Sequence, residues 1–139
     1  MHYIMHADGG SRGNPGKAAG AAVFFVRQTD GGYGDPAGSV ARYMGVATNN
    51  QAEYTGIVEG LRYALQQGYK NLDVRLDSEL AVKQINGQDK VKNAHLLPFW
   101  REVKELMEQF DEIAFSHVRR EFNKAADALV NETIDSEGR

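Results

Sequence analysis

Cysteine is missing altogether from the 139 residues, which excludes a disulfide framework, a thiolate zinc site and a cysteine nucleophile together. Missing too is any run near the ~18 apolar residues of a membrane span, and the first residues lack a signal-peptide h-region. No membrane partner is therefore expected, and the simplest location is the cytoplasm. A surplus of basic charge is also lacking: 16 Lys and Arg stand against 19 Asp and Glu, a net charge of −3. Domains that bind nucleic acid are usually basic, so this balance argues mildly against that class. The argument is easily reversed, because neutralising four clustered acids with cations would tip the remaining charge slightly positive. Positive side chains are also grouped, as Arg12 with Lys17, Lys90 with Lys92, and Arg119 and Arg120 with Lys124. His2, His6, His95 and His117 show no metal-ligand spacing and read as structural or exposed residues.

What is present suits one globular domain better than two, with 42% hydrophobic and 25% charged residues and neither repeat nor low-complexity linker. We expect that domain over residues 1–135 and a short polar tail at 136–139. A small domain of this kind suggests a monomer with no obligate protein partner. His2 to Asp8 reads as a strand ending in a Gly- and Pro-rich turn. Gly20 to Arg27 is an apolar strand, and Ser39 to Ala47 alternates as its hairpin partner. Asn50 to Gln67 carries Tyr54, Ile57, Val58, Leu61 and Leu65 on one helical stripe, with Asn50 and Glu53 at capping-box spacing and Gly68 as the stop. Leu72 to Leu76 is a strand, after which Asp77 can cap a short helix to about Ile85. A helical stripe from Leu96 to Phe110 places Phe99 and Trp100 in the core. Ile113 to His117 is a fifth strand, and Asn123 to Ile134 a last helix. Three leading strands followed by alternating helices and strands imply an α/β fold with a mixed five-stranded sheet.

Four acids stand where strands end or helices begin: Asp8, Glu53, Asp77 and Asp127. Each has a plain structural reading: a turn residue for Asp8, half of a capping box for Glu53, an N-cap for Asp77, and a helix-dipole partner for Asp127. Asp8 closes the first strand and Asp77 the fourth. If those strands are parallel neighbours, both acids emerge at the carboxyl edge where open α/β sheets place their ligands. Four converging carboxylates would repel one another by on the order of several kcal/mol without divalent cations.

Five phrases occur together and in one order. They are Asp-Gly-Gly-Ser-Arg-Gly-Asn-Pro-Gly from Asp8 to Gly16, Thr-Asn-Asn-Gln-Ala-Glu-Tyr from Thr48 to Tyr54, Asp-Ser-Glu-Leu from Asp77 to Leu80, Lys-Val-Lys-Asn from Lys90 to Asn93, and Asn-Lys-Ala-Ala-Asp-Ala-Leu from Asn123 to Leu129. This set resembles ribonuclease H type 1, in particular its compact bacterial and archaeal branch. The resemblance implies a ribonuclease H-like sheet of order 3-2-1-4-5, strand 2 antiparallel, flanked by helices. It also implies an endoribonuclease acting on the RNA strand of an RNA–DNA hybrid by a two-metal-ion mechanism, leaving 5′-phosphate and 3′-hydroxyl ends. In that reading Asp8 bridges two Mg²⁺ ions, with Mn²⁺ able to substitute. Asp127 helps hold the ion that activates water, and Glu53 with Asp77 holds the leaving-group ion. Mg²⁺ prefers carboxylate, water and phosphate oxygens, which suits this donor set. Gly9, Gly10, Asn14, Thr48, Asn49, Asn50 and Gln51 fall in the family's substrate-contact phrases. Amides and a hydroxyl can meet sugars and phosphates without adding charge, and the glycine pair would let backbone approach the RNA sugars.

Two departures stand out. The loop before the last helix, where many relatives carry a histidine, reads Val-Arg-Arg-Glu-Phe-Asn from Val118 to Asn123, leaving Arg119, Arg120 or Glu121 as replacements. The long basic protrusion of some relatives is reduced to the stretch around Lys90 and Lys92, so weaker hybrid binding is expected. Two rivals remain: another nuclease or phosphotransferase of this fold acting on DNA, and a non-catalytic hybrid-binding module.

Overall fold

The computed structural model, which describes residues 1–138, runs β1 (Tyr3–Arg12), β2 (Gly16–Arg27), β3 (Tyr33–Ala47), α1 (Asn49–Gln67), β4 (Asn71–Leu76), α2 (Glu79–Ile85), α3 (Leu97–Met107), β5 (Glu112–His117) and α4 (Lys124–Glu137). The strands form one sheet of order β3-β2-β1-β4-β5. β1 pairs antiparallel with β2 and parallel with β4, and β4 pairs parallel with β5. The expected mixed sheet and its order are therefore present.

Strand lengths differ from the sequence reading. β1 continues past Asp8 to Arg12, with Gly9 opposite Gly20 and Ser11 opposite Ala18. The Gly-rich stretch that reads as a turn is thus partly strand; the turn itself spans only 13–15. β3 begins at Tyr33 rather than Ser39 and carries Pro36, which an edge strand tolerates because it has no second neighbour to hydrogen-bond.

The main core lies between the sheet and α1, α2 and α3, where Met5, Phe24, Ile57, Leu61, Val74 and Val103 are buried together. The large-residue stripe of α1 is buried as expected, apart from half-buried Leu65. A second stripe contacts the sheet directly: Ala52, Gly56, Gly60 and Ala64, all buried and spaced by four. A Cβ on Gly56 would lie 2.3 Å from the Asp8 carbonyl oxygen, and one on Gly60 would lie 2.7 Å from the Met5 side chain. Two helical glycines cost about 2 kcal/mol of propensity relative to alanine. That cost brings the helix backbone onto β1.

Caps are placed differently from expectation. Thr48, not Asn50, caps α1: its side chain accepts from Gln51 N–H, and Gln51 reaches back to the Thr48 N–H. Ser78, not Asp77, caps α2 by accepting from Ala81 N–H. In both cases a hydroxyl at the last extended residue takes the cap, leaving the adjacent carboxylate or amide unused by it. α4 continues through Glu137, so Ser136 and Glu137 of the expected tail are helical. Ser136 Oγ donates to the Glu132 carbonyl, and Gly138 N–H closes the last turn on Ile134 O.

Beneath α4 the core is small, made of Ala19, Ala21, Val130 and Ile134. The alanines of β2 let α4 sit close to the sheet beside β1. Among the described residues, no helix is long and apolar enough to cross a membrane.

Candidate active site

In the parallel pairing of β1 with β4, Ala7 lies opposite Leu76. The next residue in each strand direction is an acid, Asp8 or Asp77, so both leave the same carboxyl edge. Glu53 reaches that edge from the first turn and a half of α1, and Asp127 from the first turn of α4. Asp8, Glu53, Asp77 and Asp127 together line one open cleft of about 470 Å³.

Glycine makes this approach possible. A Cβ at Gly9 would fall 2.1 Å from the Ala52 carbonyl carbon and 2.3 Å from the Glu53 nitrogen. The strand residue after Asp8 therefore touches the backbone of the helix residue before Glu53. The missing side chain of Gly9 is required by α1 itself. Gly10 is roomier, with its nearest neighbour, Val130 Cγ1, 3.8 Å from a built Cβ.

The cleft is electrostatically uncomfortable for anions. Burial, then the Asp77 carboxylate, pushes the Asp8 carboxyl up to about 8, with Asp127 and Glu53 adding to the rise and a Gly9 backbone N–H opposing it. Burial pushes Glu53 up to about 7, with Asp77 acting the same way and a Ser78 hydrogen bond opposing. Burial and the neighbouring carboxylates together shift both carboxyls toward the neutral form. Among the described residues no group of three His, Cys, Asp or Glu forms a ready-made metal cage. The four acids share the cleft without forming such a cage. Magnesium does not need such a cage, since it commonly takes one or two carboxylates and fills its shell with water and phosphate oxygens. The donor set therefore fits hard divalent cations.

The amide residues of the substrate phrases knit the β1–β2 turn to α1. Asn14 Oδ1 accepts from the Asn49 N–H at 3.1 Å, and Asn49 Oδ1 accepts from the Ser11 N–H and Oγ, both at 2.9 Å. Those oxygens are used internally, which leaves the amide N–H groups as the donors for an outside ligand. Asn49 lines the acid cleft, whereas Asn14 and Asn50 are exposed beside it, and Thr48 and Gln51 are occupied as the cap.

Arg120, whose role sequence left open against Arg119 and Glu121, lines the cleft from a short 3-10 turn, Arg120–Phe122, just before α4. Arg119 faces Glu121 instead, at 3.6 Å. Arg12 also borders the cleft, with its guanidinium paired to Asp135. Lys90 and Lys92 are exposed between α2 and α3.

Sequence reasoning missed Asn123 and His6. His6 is buried, and its Nδ1 lies 2.9 Å from Asn123 Oδ1. Burial holds the ring below its ordinary value, with a nearby Arg75 charge adding to the effect and the Asn123 bond opposing it. The sequence signal was the placement of a polar histidine between Met5 and Ala7 in an otherwise apolar strand.

A model of the reverse transcriptase-like family matches residues 6–133. The ribonuclease H1 of Halobacterium salinarum superposes with a TM-score of 0.90 and 35% identity, covering 98% of this chain and 99% of that one. This chain belongs to the type 1 ribonuclease H family. The LC11 ribonuclease H1, a compost metagenome protein solved in complex with an RNA/DNA hybrid, superposes with a TM-score of 0.87 at 35% identity, covering 99% of both chains. A bifunctional protein of Mycobacterium tuberculosis is 38% identical over 136 residues, 98% of this chain. The chain spans 36% of the length of that relative and 64% of the Halobacterium ribonuclease HI sequence. Type 1 ribonuclease H is the family that the five sequence phrases indicate, and its fold is the sheet described above.

Proposed function

We propose that this chain is a divalent-cation-dependent endoribonuclease that hydrolyses the RNA strand of RNA–DNA hybrids, leaving 5′-phosphate and 3′-hydroxyl ends. The observation that carries the reading is the meeting of Asp8, Glu53, Asp77 and Asp127, from four separate elements, in one cleft. The family membership and the hybrid-bound LC11 relative support the substrate class. Asp8 stands among the other three acids and is the residue suited to be shared. Asp127 would complete the water side, and Glu53 with Asp77 the leaving-group side. Two Mg²⁺ ions, or Mn²⁺ in their place, would supply Lewis acidity for the attacking water and the departing 3′-oxygen.

The protein's own groups do the rest. Buried, mutually repelling carboxylates favour a phosphate backbone only when cations accompany it, which links substrate binding to metal binding. Asn49 and Asn14 offer N–H donors to sugars and phosphates, and the open backbone at Gly10 lets a strand approach. A requirement for the 2′-hydroxyl would separate RNA from DNA at the cleaved strand. Arg120 offers a permanent positive charge at the mouth of the cleft for a scissile or adjacent phosphate. We read the chain as acting in the cytoplasm as a monomer.

The test is cleavage of end-labelled hybrid, duplex DNA and duplex RNA in parallel, with Mg²⁺, Mn²⁺ or chelator. Metal-dependent cutting of the hybrid's RNA strand is expected, and Asp8→Asn should abolish it. Cleavage confined to duplex DNA, or undiminished turnover by the variant, refutes the proposal.

A further inference from the structure

We infer that a hydrogen-bonded chain, Arg75–Tyr33–His6–Asn123, fixes the placement of Asp127 relative to Asp8, which makes His6 and Tyr33 positioning residues of the site. The inference rests on the functional reading given above and extends it to residues behind the cleft.

Asn123 ties the two acids together. Its backbone carbonyl accepts the Asp127 N–H at 3.1 Å. Its side-chain Nδ2 donates to the Ala7 carbonyl at 3.0 Å, and that carbonyl belongs to the peptide whose N–H is that of Asp8. One buried residue therefore holds the first turn of α4 against the middle of β1. Asn123 occupies the N-cap position of α4 yet makes no side-chain cap bond there; its amide is spent on β1 instead.

The orientation of that amide is set from behind. Turning it over would face its oxygen to the Ala7 carbonyl oxygen, an unfavourable contact. Oδ1 must then accept, so His6 Nδ1, 2.9 Å away, carries the hydrogen. His6 Nε2 is left as the acceptor for the Tyr33 hydroxyl at 2.5 Å. The Tyr33 oxygen in turn accepts from Arg75 Nη1 at 2.7 Å, and the Arg75 guanidinium lies 5.0 Å from the Tyr33 ring centre. Every donor in this chain has one acceptor, and every bond points the same way, from Arg75 toward the Ala7 carbonyl.

The chain is also braced sideways. Arg75 is the register partner of His6 across the parallel β1–β4 pair. Phe25 of β2 packs edge-on against both rings, 5.4 Å from Tyr33 and 6.4 Å from His6 between centroids. Four strands thus contribute to one rotamer at the mouth of α4. A histidine serving only as satisfied core would need no such directional sequence. The chain is buried at His6 and Asn123 and reaches solvent at Tyr33 and Arg75. Its paired inner bonds fix geometry more than they add stability, and small displacements of a reacting constellation cost large factors in rate.

The test uses the full chain with His6→Phe, Tyr33→Phe and His6→Asn, the last keeping an N–H near the Nδ1 position. Four readings are taken: kcat and KM on hybrid, Mn²⁺ affinity by calorimetry without substrate, the melting temperature, and ring ¹⁵N shifts of His6 in the unsubstituted protein. We expect the Nδ1–H tautomer. We expect kcat in the two Phe variants to fall at least tenfold with KM within twofold, Mn²⁺ binding to weaken severalfold, and His6→Asn to recover part of both losses. An Nε2–H tautomer overturns the inference. So do kcat and Mn²⁺ affinity within twofold of the parent in both Phe variants, whatever the melting temperature does. Equal losses in His6→Asn and His6→Phe overturn it too, because ring volume would then matter and the bond to Asn123 would not. A parent protein that cuts no hybrid sinks the functional reading alone, since the tautomer and the Mn²⁺ isotherms still judge the chain.

Discussion

Replacing Asp8 by Asn should stabilise the metal-free protein at alkaline pH while destroying its activity. The exchange keeps the size of the side chain and an oxygen for the Gly9 N–H, and removes only the charge. In the unfolded chain Asp8 ionises near 3.8, whereas in the fold it is pushed up to about 8. The folded state therefore binds the proton more tightly, and stability falls as pH rises from about 4 to about 8. At about 1.4 kcal/mol per pH unit, holding the group neutral to pH 7 corresponds to about 4 kcal/mol. Relaxation of the open cleft returns part of that, so we expect Asp8→Asn to gain about 2 kcal/mol at pH 8, or roughly 4–8 °C in Tm for a domain of this size. Thermal melts in chelator at pH 4, 6 and 8 would show the gap between variant and parent opening with pH and closing at pH 4. Added Mn²⁺ should reverse the order, because binding stabilises the parent by about 2.7 kcal/mol at a hundredfold excess over Kd, while the variant has lost its central ligand. A variant no more stable than the parent at pH 8 in chelator, or a gap that ignores pH, would refute the account of a repelling, buried acid cleft.

Gly56→Ala is expected to destabilise by about 1–3 kcal/mol or more in urea unfolding, although alanine in a helix interior ordinarily helps by about 1 kcal/mol; a stabilised variant would disprove the backbone contact with Asp8. Thr48→Ala should cost about 1 kcal/mol through loss of the α1 cap, whereas Asn50→Ala should be near neutral, a contrast that the same unfolding assay reads. Arg120→Ala, placed in the Asp8→Asn background and followed by fluorescence anisotropy across KCl concentrations, should weaken hybrid binding and reduce the salt slope by about 1. An unchanged slope would remove Arg120 from the phosphate path.

Much of this was legible in the chain because patterns at three levels agreed. The alternation in Leu72 to Leu76 and the stripe through Tyr54, Ile57 and Leu61 fixed element types, and the five phrases fixed their arrangement. Asp77 was found at a strand end and Glu53 and Asp127 near helix starts, whereas Asp8, which reads as a strand end, lies inside β1 where its parallel pairing with β4 stops. The register of Ala7 with Leu76 places Asp8 and Asp77 together. Local detail was harder. The cap of α1 went to Thr48 because a hydroxyl at the last extended residue outcompetes an amide two residues later. The length of β1 was hidden because Gly9 and Gly10 signal turns by composition, yet here Gly9 serves close packing within a strand. The stripe Ala52, Gly56, Gly60, Ala64 was visible at a spacing of four but carries no hydrophobic weight, so a search for large apolar residues passes over it. His6 and Asn123 are 117 positions apart, and no local pattern links them.

The backbone crossing of α1 over β1 and β2 has a consequence for anyone mapping this protein by exhaustive substitution. A Cβ on Gly20 would sit 2.3 Å from the Gly56 nitrogen, so neither position can accept another amino acid without prying Glu53 away from its companions. A selection for cleavage would purge Gly20 and Gly56 as thoroughly as the carboxylates. Intolerance at those two sites would record how closely two ribbons of main chain pass, and says nothing of bond-breaking chemistry.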